Sequence, residues 1–378
     1  MNGPTLFKGG AFFFGEVKMS LEIIGMIGAA PEKNVSSKSQ VSVIGSGIDG
    51  DHVINFAKAH DDSGFDKVLV GYSSNSADGF IVAMHAAAHT KKVGFLIAHR
   101  PGFVSPTVLA RKAATFDQLT NGRIAIHIIS GGSDDQQMMD GDYLDKPSRY
   151  DRSGEFMYIL KRIWTENSPF DFNGIHYQFR NAVSSIKCYQ QPRIPIYFGG
   201  SSEAALNVGA RECDVYATFG EPLAEVEKKI DDFRLRAKKS GRNPDEIRFS
   251  VSTRPIVADT EAEAWDRAYS VLESVDPKTN SNISAVSATG SQRLVDFAKR
   301  GEVLDQRLFM PIAAATGGTG NSTALVGTAD QVSDALLEYY KLGASTLLIR
   351  GFDPIDDAKY WGKDLIPMLR EKVYKYDK

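Results

Sequence analysis

The chain has 378 residues, of which 42% are hydrophobic and 24% charged, with 34 Gly and 15 Pro, a composition that excludes a disordered, collagen-like or coiled-coil chain. Lys and Arg total 44 against 47 Asp and Glu, a formal net charge of −3, which argues against a general nucleic-acid-binding surface. No apolar run approaches the roughly 18 residues of a membrane span. Residues 1–18 read as an N-terminal extension, because their apolar core, Ala11–Phe14, is too short for a secretory signal. From Met19 onward, short apolar runs alternate with helical patterns. The predicted strands are Glu22–Ile27, Lys67–Val70, Val93–Ala98, Arg123–Ile129, Ile194–Phe198, Val215–Phe219, Ile247–Val257 and Thr346–Ile349. Between and after them fall helices over Ile48–Gly64, Ala77–Thr90, Pro106–Leu119, Arg149–Thr165, Ser202–Glu212, Leu223–Lys239, Glu261–Leu272, Asp330–Lys341 and Ile355–Lys372. Gly64 is placed to end the first, and Ser105-Pro106 to open the third.

Eight such units, with strands apolar enough to be buried on both faces, predict an α/β fold. The form expected is a closed (β/α)8 TIM barrel rather than an open sheet. One barrel over 19–378 is expected, with insertions at about 166–193 and 275–325. The two cysteines, Cys188 and Cys213, form no CxxC pair. They indicate neither a zinc site nor a disulfide framework, and reduced, cytoplasmic residence is the default.

Ligands of a parallel barrel sit at the C-terminal strand ends. That rule selects Gly199–Ser202 (GGSS) after the fifth strand. Two glycines would let backbone approach a ligand, and two serines would open a helix whose N-terminus suits a phosphate, or simply cap it. It also selects His127 on the fourth strand, as a core residue or a functional one. Arg254 and Arg350 at the seventh and eighth strand ends each need an anionic partner, a protein carboxylate or a ligand. His99 and Arg100 end the third strand. The glycines fit neither GxGxxG nor a P-loop.

Several stretches resemble the bacterial luciferase-like flavin monooxygenases, in particular the alkanesulfonate monooxygenase branch. They are RPGFVSPTVLARKAATFDQLTNGR (100–123), SGGSDDQQMMDGDYLDKPSRYDRSGEF (130–156), WTENSPFDFNGIHYQ (164–178), QQPRIPIYFGGSSEAA (190–205), TFGEP (218–222), TALVGTADQV (323–332) and LGASTLLIRGFDP (342–354). The resemblance spans about Met19 to Leu369. It implies a (β/α)8 enzyme using FMN, as FMNH2 from a partner NAD(P)H-dependent flavin reductase. Such an enzyme uses O2 to oxidise a small organosulfur compound, with C–S cleavage to an aldehyde and sulfite for a sulfonate. It also implies a homo-oligomer, as is common among relatives.

By the same resemblance, the flavin phosphate falls near Tyr150, Gly200, Ser201 and Ser202, with Ser130 nearby. The isoalloxazine falls near Ser76, His99 and His127, the two histidines being catalytic candidates with Arg254. Phe219, Arg254, Thr316, Arg350 and Phe352 mark the substrate side. The departures lie mostly on that side. The sulfonate enzymes carry Cys at Ser76, Asn at His127, Trp at Phe219, Tyr at Phe352 and a mobile-loop Arg near Thr316, and their strand-seven Arg-x-His falls on Ser252 and Arg254. A deazaflavin-dependent oxidoreductase, a monooxygenase of a non-sulfonate substrate and a non-catalytic flavin-binding protein are the alternatives.

Overall fold

The computed structural model describes residues 20–31, 47–131, 133–275 and 288–378; the extension expected over 1–18 lies outside them. Eight parallel strands close a barrel: β1 (Glu22–Ile27), β2 (Lys67–Val70), β3 (Gly94–His99), β4 (Ile124–Ile128), β5 (Ile196–Gly199), β6 (Val215–Phe219), β7 (Arg248–Val257) and β8 (Thr346–Ile349). The ring is completed where β8 pairs with both β7 and β1, with Thr346 opposite Ser250 and Glu22. The predicted TIM barrel is the fold observed.

The strands are apolar on both faces because each face is covered. Outward residues such as Phe95, Ile126 and Phe198 pack under the helices. Inward residues Ile24, Leu96, Ala125, Tyr197 and Val215 fill the lumen. At the N-terminal end, Glu22 accepts hydrogen bonds from Lys67, Tyr197 and Thr346. Burial alone would raise the Glu22 carboxyl, but Lys67 and Arg248 outweigh it and hold it below the usual carboxylate range. This network fills the N-terminal end of the lumen, and the cavity lies at the C-terminal mouth.

Helices α1 (Gly50–Asp62), α2 (Gly79–Ala87), α3 (Pro106–Leu119), α4 (Lys146–Thr165), α5 (Glu203–Glu212), α6 (Leu223–Lys239) and α7 (Glu261–Ser274) follow β1 to β7 in turn, and α8 (Ala329–Lys341) leads into β8. Gly64 terminates α1 with φ +79, as its sequence position suggested. Other boundaries differ. Ser105 makes no capping bond to α3. Asp145 caps α4, which therefore starts at Lys146, upstream of the predicted Arg149. The single final helix is two, α9 (Pro354–Lys363) and α10 (Leu365–Tyr376), because Asp364 leaves helical geometry at φ −126, ψ −58.

Both insertions carry structure. The first holds a hairpin of Phe170–Asn173 and Gln178–Ala182. Glu155 of α4 fixes its tip by accepting three backbone N–H bonds, from Ile175, His176 and Tyr177, at 2.7–3.1 Å. The described part of the second holds a helix (Thr289–Ala298), a small hairpin and a strand (Ala324–Gly327) that extends the sheet beside Arg254–Val257. No helix among the described residues is long and apolar enough to cross a membrane.

Candidate active site

A cavity of about 470 Å3 occupies the C-terminal mouth, within the range of about 300–1,000 Å3 usual for small-molecule sites. Its floor is apolar, from Leu69, Leu96, Ala98, Ala217 and Leu348. Polar groups gather at two opposite ends.

The first end is built by the β4 and β5 turns. Gly200 has φ +147, and a Cβ there would lie 2.6 Å from the Cβ of Ala205 and 3.1 Å from the Tyr150 hydroxyl. A Cβ on Gly199 would lie 2.9 Å from the Ala217 carbonyl oxygen. Both glycines are thus required for the turn to pass between β6 and α4. Ser201 and Ser202 follow at the cavity wall, and Ser202 caps α5 by accepting from the Ala205 N–H at 3.3 Å. Ser202 thus caps the helix, one of the two readings of GGSS, and it also lines the cavity. Tyr150 bonds to Ser202, though burial, the larger effect, raises its phenol. Ser130 lies on the same wall, its hydroxyl 2.8 Å from that of Ser153. His127 faces the lumen beside this end; its Nδ1 is buried without a hydrogen-bond partner, and burial pulls its pKa down to about 4. The imidazole is neutral at pH 7.

The second end is built by β7, β8 and the loop before Ala324. Ser250 and Ser252 of β7, Asn321 and Arg350 line it. Asn321 donates to the Ser252 carbonyl at 2.7 Å and to the Ser252 hydroxyl, while its Oδ1 is buried without a partner.

Over the mouth lie Ala288, Thr289 and Gly290. A Cβ on Gly290 would lie 2.8 Å from the Phe219 ring and 3.4 Å from the Ser201 hydroxyl. The helix Thr289–Ala298 is held there by Arg293, which donates to Glu221 at 3.0 and 2.7 Å. Glu221 is fully buried and also accepts from Lys229. Burial would raise its carboxyl; the two cations outweigh that and lower it.

Of the residues selected from sequence, Tyr150, Ser130, Gly200, Ser201, Ser202, His127, Phe219 and Arg350 line the cavity. Five do not. His99 points outward from β3, stacked on Phe156 at 5.5 Å and against Phe80, because Leu96, Ala98 and Arg100 take the lumenal parity of that strand. Ser76 closes a turn, donating to the Ser73 carbonyl at 2.9 Å. Thr316 is buried in its own loop and donates to the Ile312 carbonyl. Arg254 is fully buried behind the wall, donating to the carbonyls of Asn321, Gly351 and Gly320 at 3.3–3.4 Å, with its guanidinium 4.6 Å over Phe352. Phe352 is consequently a support for that arginine and fully buried. Burial first and the nearby Arg350 second push the Arg254 pKa well down.

The sequence reading missed Tyr197, Asn321, Ser250 and Gln136 as cavity residues. Strand parity offered a signal for two. Tyr197 lies two before Gly199, and Ser250 two before Ser252. Arg100 meets the cavity edge held by Asp140 at 3.0 Å and by Ser74 at 2.9 Å, over the Tyr72 ring.

The sequence model of the luciferase-like monooxygenase family matches residues 31–346, and the chain belongs to that family, a family of flavin-dependent oxidoreductases. Among solved structures, a riboflavin lyase with modified FMN and riboflavin bound matches with TM-score 0.78 at 20% identity, over 94% of this chain and 92% of that one. EDTA monooxygenase from Chelativorans sp. BNC1 matches with TM-score 0.69 at 14% identity, over 94% of each chain. An F420-dependent secondary alcohol dehydrogenase matches with TM-score 0.63 at 16% identity, over 93% of this chain and 99% of that one. At these identities the likeness is one of fold.

Proposed function

We propose that the chain is an FMN-dependent two-component monooxygenase. It would use O2 to oxidise a small organosulfur substrate of alkanesulfonate type, releasing an aldehyde and sulfite. The observation that carries this reading is the β5 turn. There a positive-φ glycine, two serines, a tyrosine hydroxyl and the N-terminus of α5 converge on one end of a cavity. That donor set fits a phosphate monoester: hydroxyls and backbone N–H groups can donate to its oxygens, and the helix dipole favours its charge. The unpartnered, neutral His127 fits a neighbouring heteroaromatic ring with a group to hydrogen-bond.

In this reading Ser130, Tyr150, Ser201 and Ser202 hold the phosphate, and Gly199 and Gly200 allow the close approach. Reduced FMN, supplied by an NAD(P)H-dependent reductase, would bring the electrons that activate O2. Phe219 and the Thr289–Gly290 turn cover the mouth and exclude water, pinned through the Arg293–Glu221 pair. The apolar floor receives the alkyl part of the substrate. Residence in the cytoplasm, a homo-oligomer and one barrel over 19–378 belong to the same proposal.

The test supplies FMN, NADH, a flavin reductase and O2 with a panel of alkanesulfonates and measures sulfite. Release above the reductase-only control is expected. None across the panel removes the desulfonation reading, and failure to bind FMN removes the flavin reading altogether.

A further inference from the structure

Three cations reach the cavity, Arg100, Lys146 and Arg350, and they are not equivalent. Arg100 is matched by Asp140. Arg350 has no such match. Its Nη1 lies 3.3 Å from the Met26 sulfur, a weak acceptor, and its Nη2 3.5 Å from the Asn321 carbonyl, at the limit of a hydrogen bond. Its Nε is buried with no partner. Among the described residues no carboxylate lies within ion-pair distance of it. Burial lowers its pKa to about 10, so the guanidinium is still charged at neutral pH. Arg254 stands close enough for the two charges to repel. A desolvated charge beside a like charge is unfavourable unless a counter-ion arrives, and the open side of Arg350 is the cavity.

We propose that Arg350 selects the substrate by charge, receiving the head group of a small organic monoanion, a carboxylate or a sulfonate. The resemblance put both Arg254 and Arg350 on the substrate side; the geometry assigns the head group to Arg350, one strand round the barrel from Arg254. One negative charge fits better than two. The Asn321 carbonyl and its unpartnered Oδ1 belong to the same end and would oppose a second negative charge. Met26 and Leu348 beside the guanidinium suit an alkyl chain leading toward the floor. The placement of the anion opposite the β5 turn rests on the proposed flavin reading for its catalytic consequence, but the binding itself does not.

Isothermal titration of the full-length chain, with and without FMN, tests this. The probes are butane-1-sulfonate and pentanoate against the neutral isosteres butyl methyl sulfone and pentanamide. Binding of at least one anion to the wild-type chain and weaker binding of its neutral isostere are expected. R350Q should weaken the anion by about ten- to a hundredfold, and R350K should restore part of it. FMN affinity, read by fluorescence quenching, should be unchanged in R350Q. The proposal is overturned if neither anion binds, if neutral isosteres bind equally well, or if R350Q binds the anions like the wild type. It is overturned equally if R350Q loses FMN instead, which would place the cation on the cofactor. Arg350-dependent anion binding by a chain that does not take FMN would sink the flavin reading and leave this one standing.

Discussion

At the β5 end of the cavity the polar groups come largely from one turn, Gly199–Ser202, with Tyr150 beside it. At the β8 end they come from residues 250, 252, 321 and 350, distant in sequence and joined only by barrel closure. The first end is a local device: the turn cannot form without glycine, and the helix it opens presents its N–H groups whatever the rest of the chain does. The second is assembled by register. Which arginine reaches the lumen there depends on a loop from another part of the chain. Anion binding at the two ends should therefore respond to mutation independently, and the expected effects below are ordered by size.

The largest falls on the β5 end. Ser201→Ala with Ser202→Ala removes two hydroxyls, each worth about 1.5–3 kcal/mol to a charged acceptor. FMN affinity should drop by about a hundredfold or more in a fluorescence titration. Ser202→Ala also removes the α5 cap, at a cost of about 1 kcal/mol, so the Ser201→Ala single variant is the cleaner half. Sulfonate binding at the other end should not change. An equal loss of both ligands would break the separation of the two ends.

The next effect separates the two arginines by sign. Arg254 is fully buried and ties the carbonyls of Gly320, Asn321 and Gly351 together. Arg254→Gln leaves those groups short of donors and should lower stability by about 2–4 kcal/mol. Removing the unmatched Arg350 charge relieves desolvation and repulsion, so Arg350→Gln should leave the melting temperature unchanged or raise it. A melting temperature lowered equally by both would mean that Arg350 is structural.

The barrel was legible in the sequence because eight apolar runs, each short enough for a strand and followed by a helical pattern, admit few other arrangements. GGSS was legible because its demands are local. Arg254 and Arg350 were not distinguishable. Each ends a strand, but the strand Ala324–Gly327 extends the sheet past Arg254, and the loop at Gly320–Asn321 covers it. No spacing in the sequence announces that cover. The β3 residues failed for a related reason. With both faces of the strand buried, alternation is lost, and nothing tells whether Ala98 or His99 faces the lumen.

That ambiguity yields the smallest effect, and it separates wall from lumen. Burial first, then the nearby Lys112 charge, lowers the His99 pKa from 6.5 to about 3; burial lowers His127 to about 4. In both cases the folded chain binds the proton less well than the unfolded chain. The stability each contributes is therefore full above about pH 6.5 and drains away as pH falls through the folded value. At pH 5, about 1.5 units below the unfolded value, each neutral imidazole then represents about 2 kcal/mol of lost stability, at 1.36 kcal/mol per unit. His99→Phe and His127→Asn should both flatten the fall in melting temperature between pH 6.5 and 5. Only His127→Asn should change FMN affinity, because His99 is turned toward Phe80 and Phe156. A His99 variant that folds normally but binds FMN several-fold more weakly would return that residue to the site.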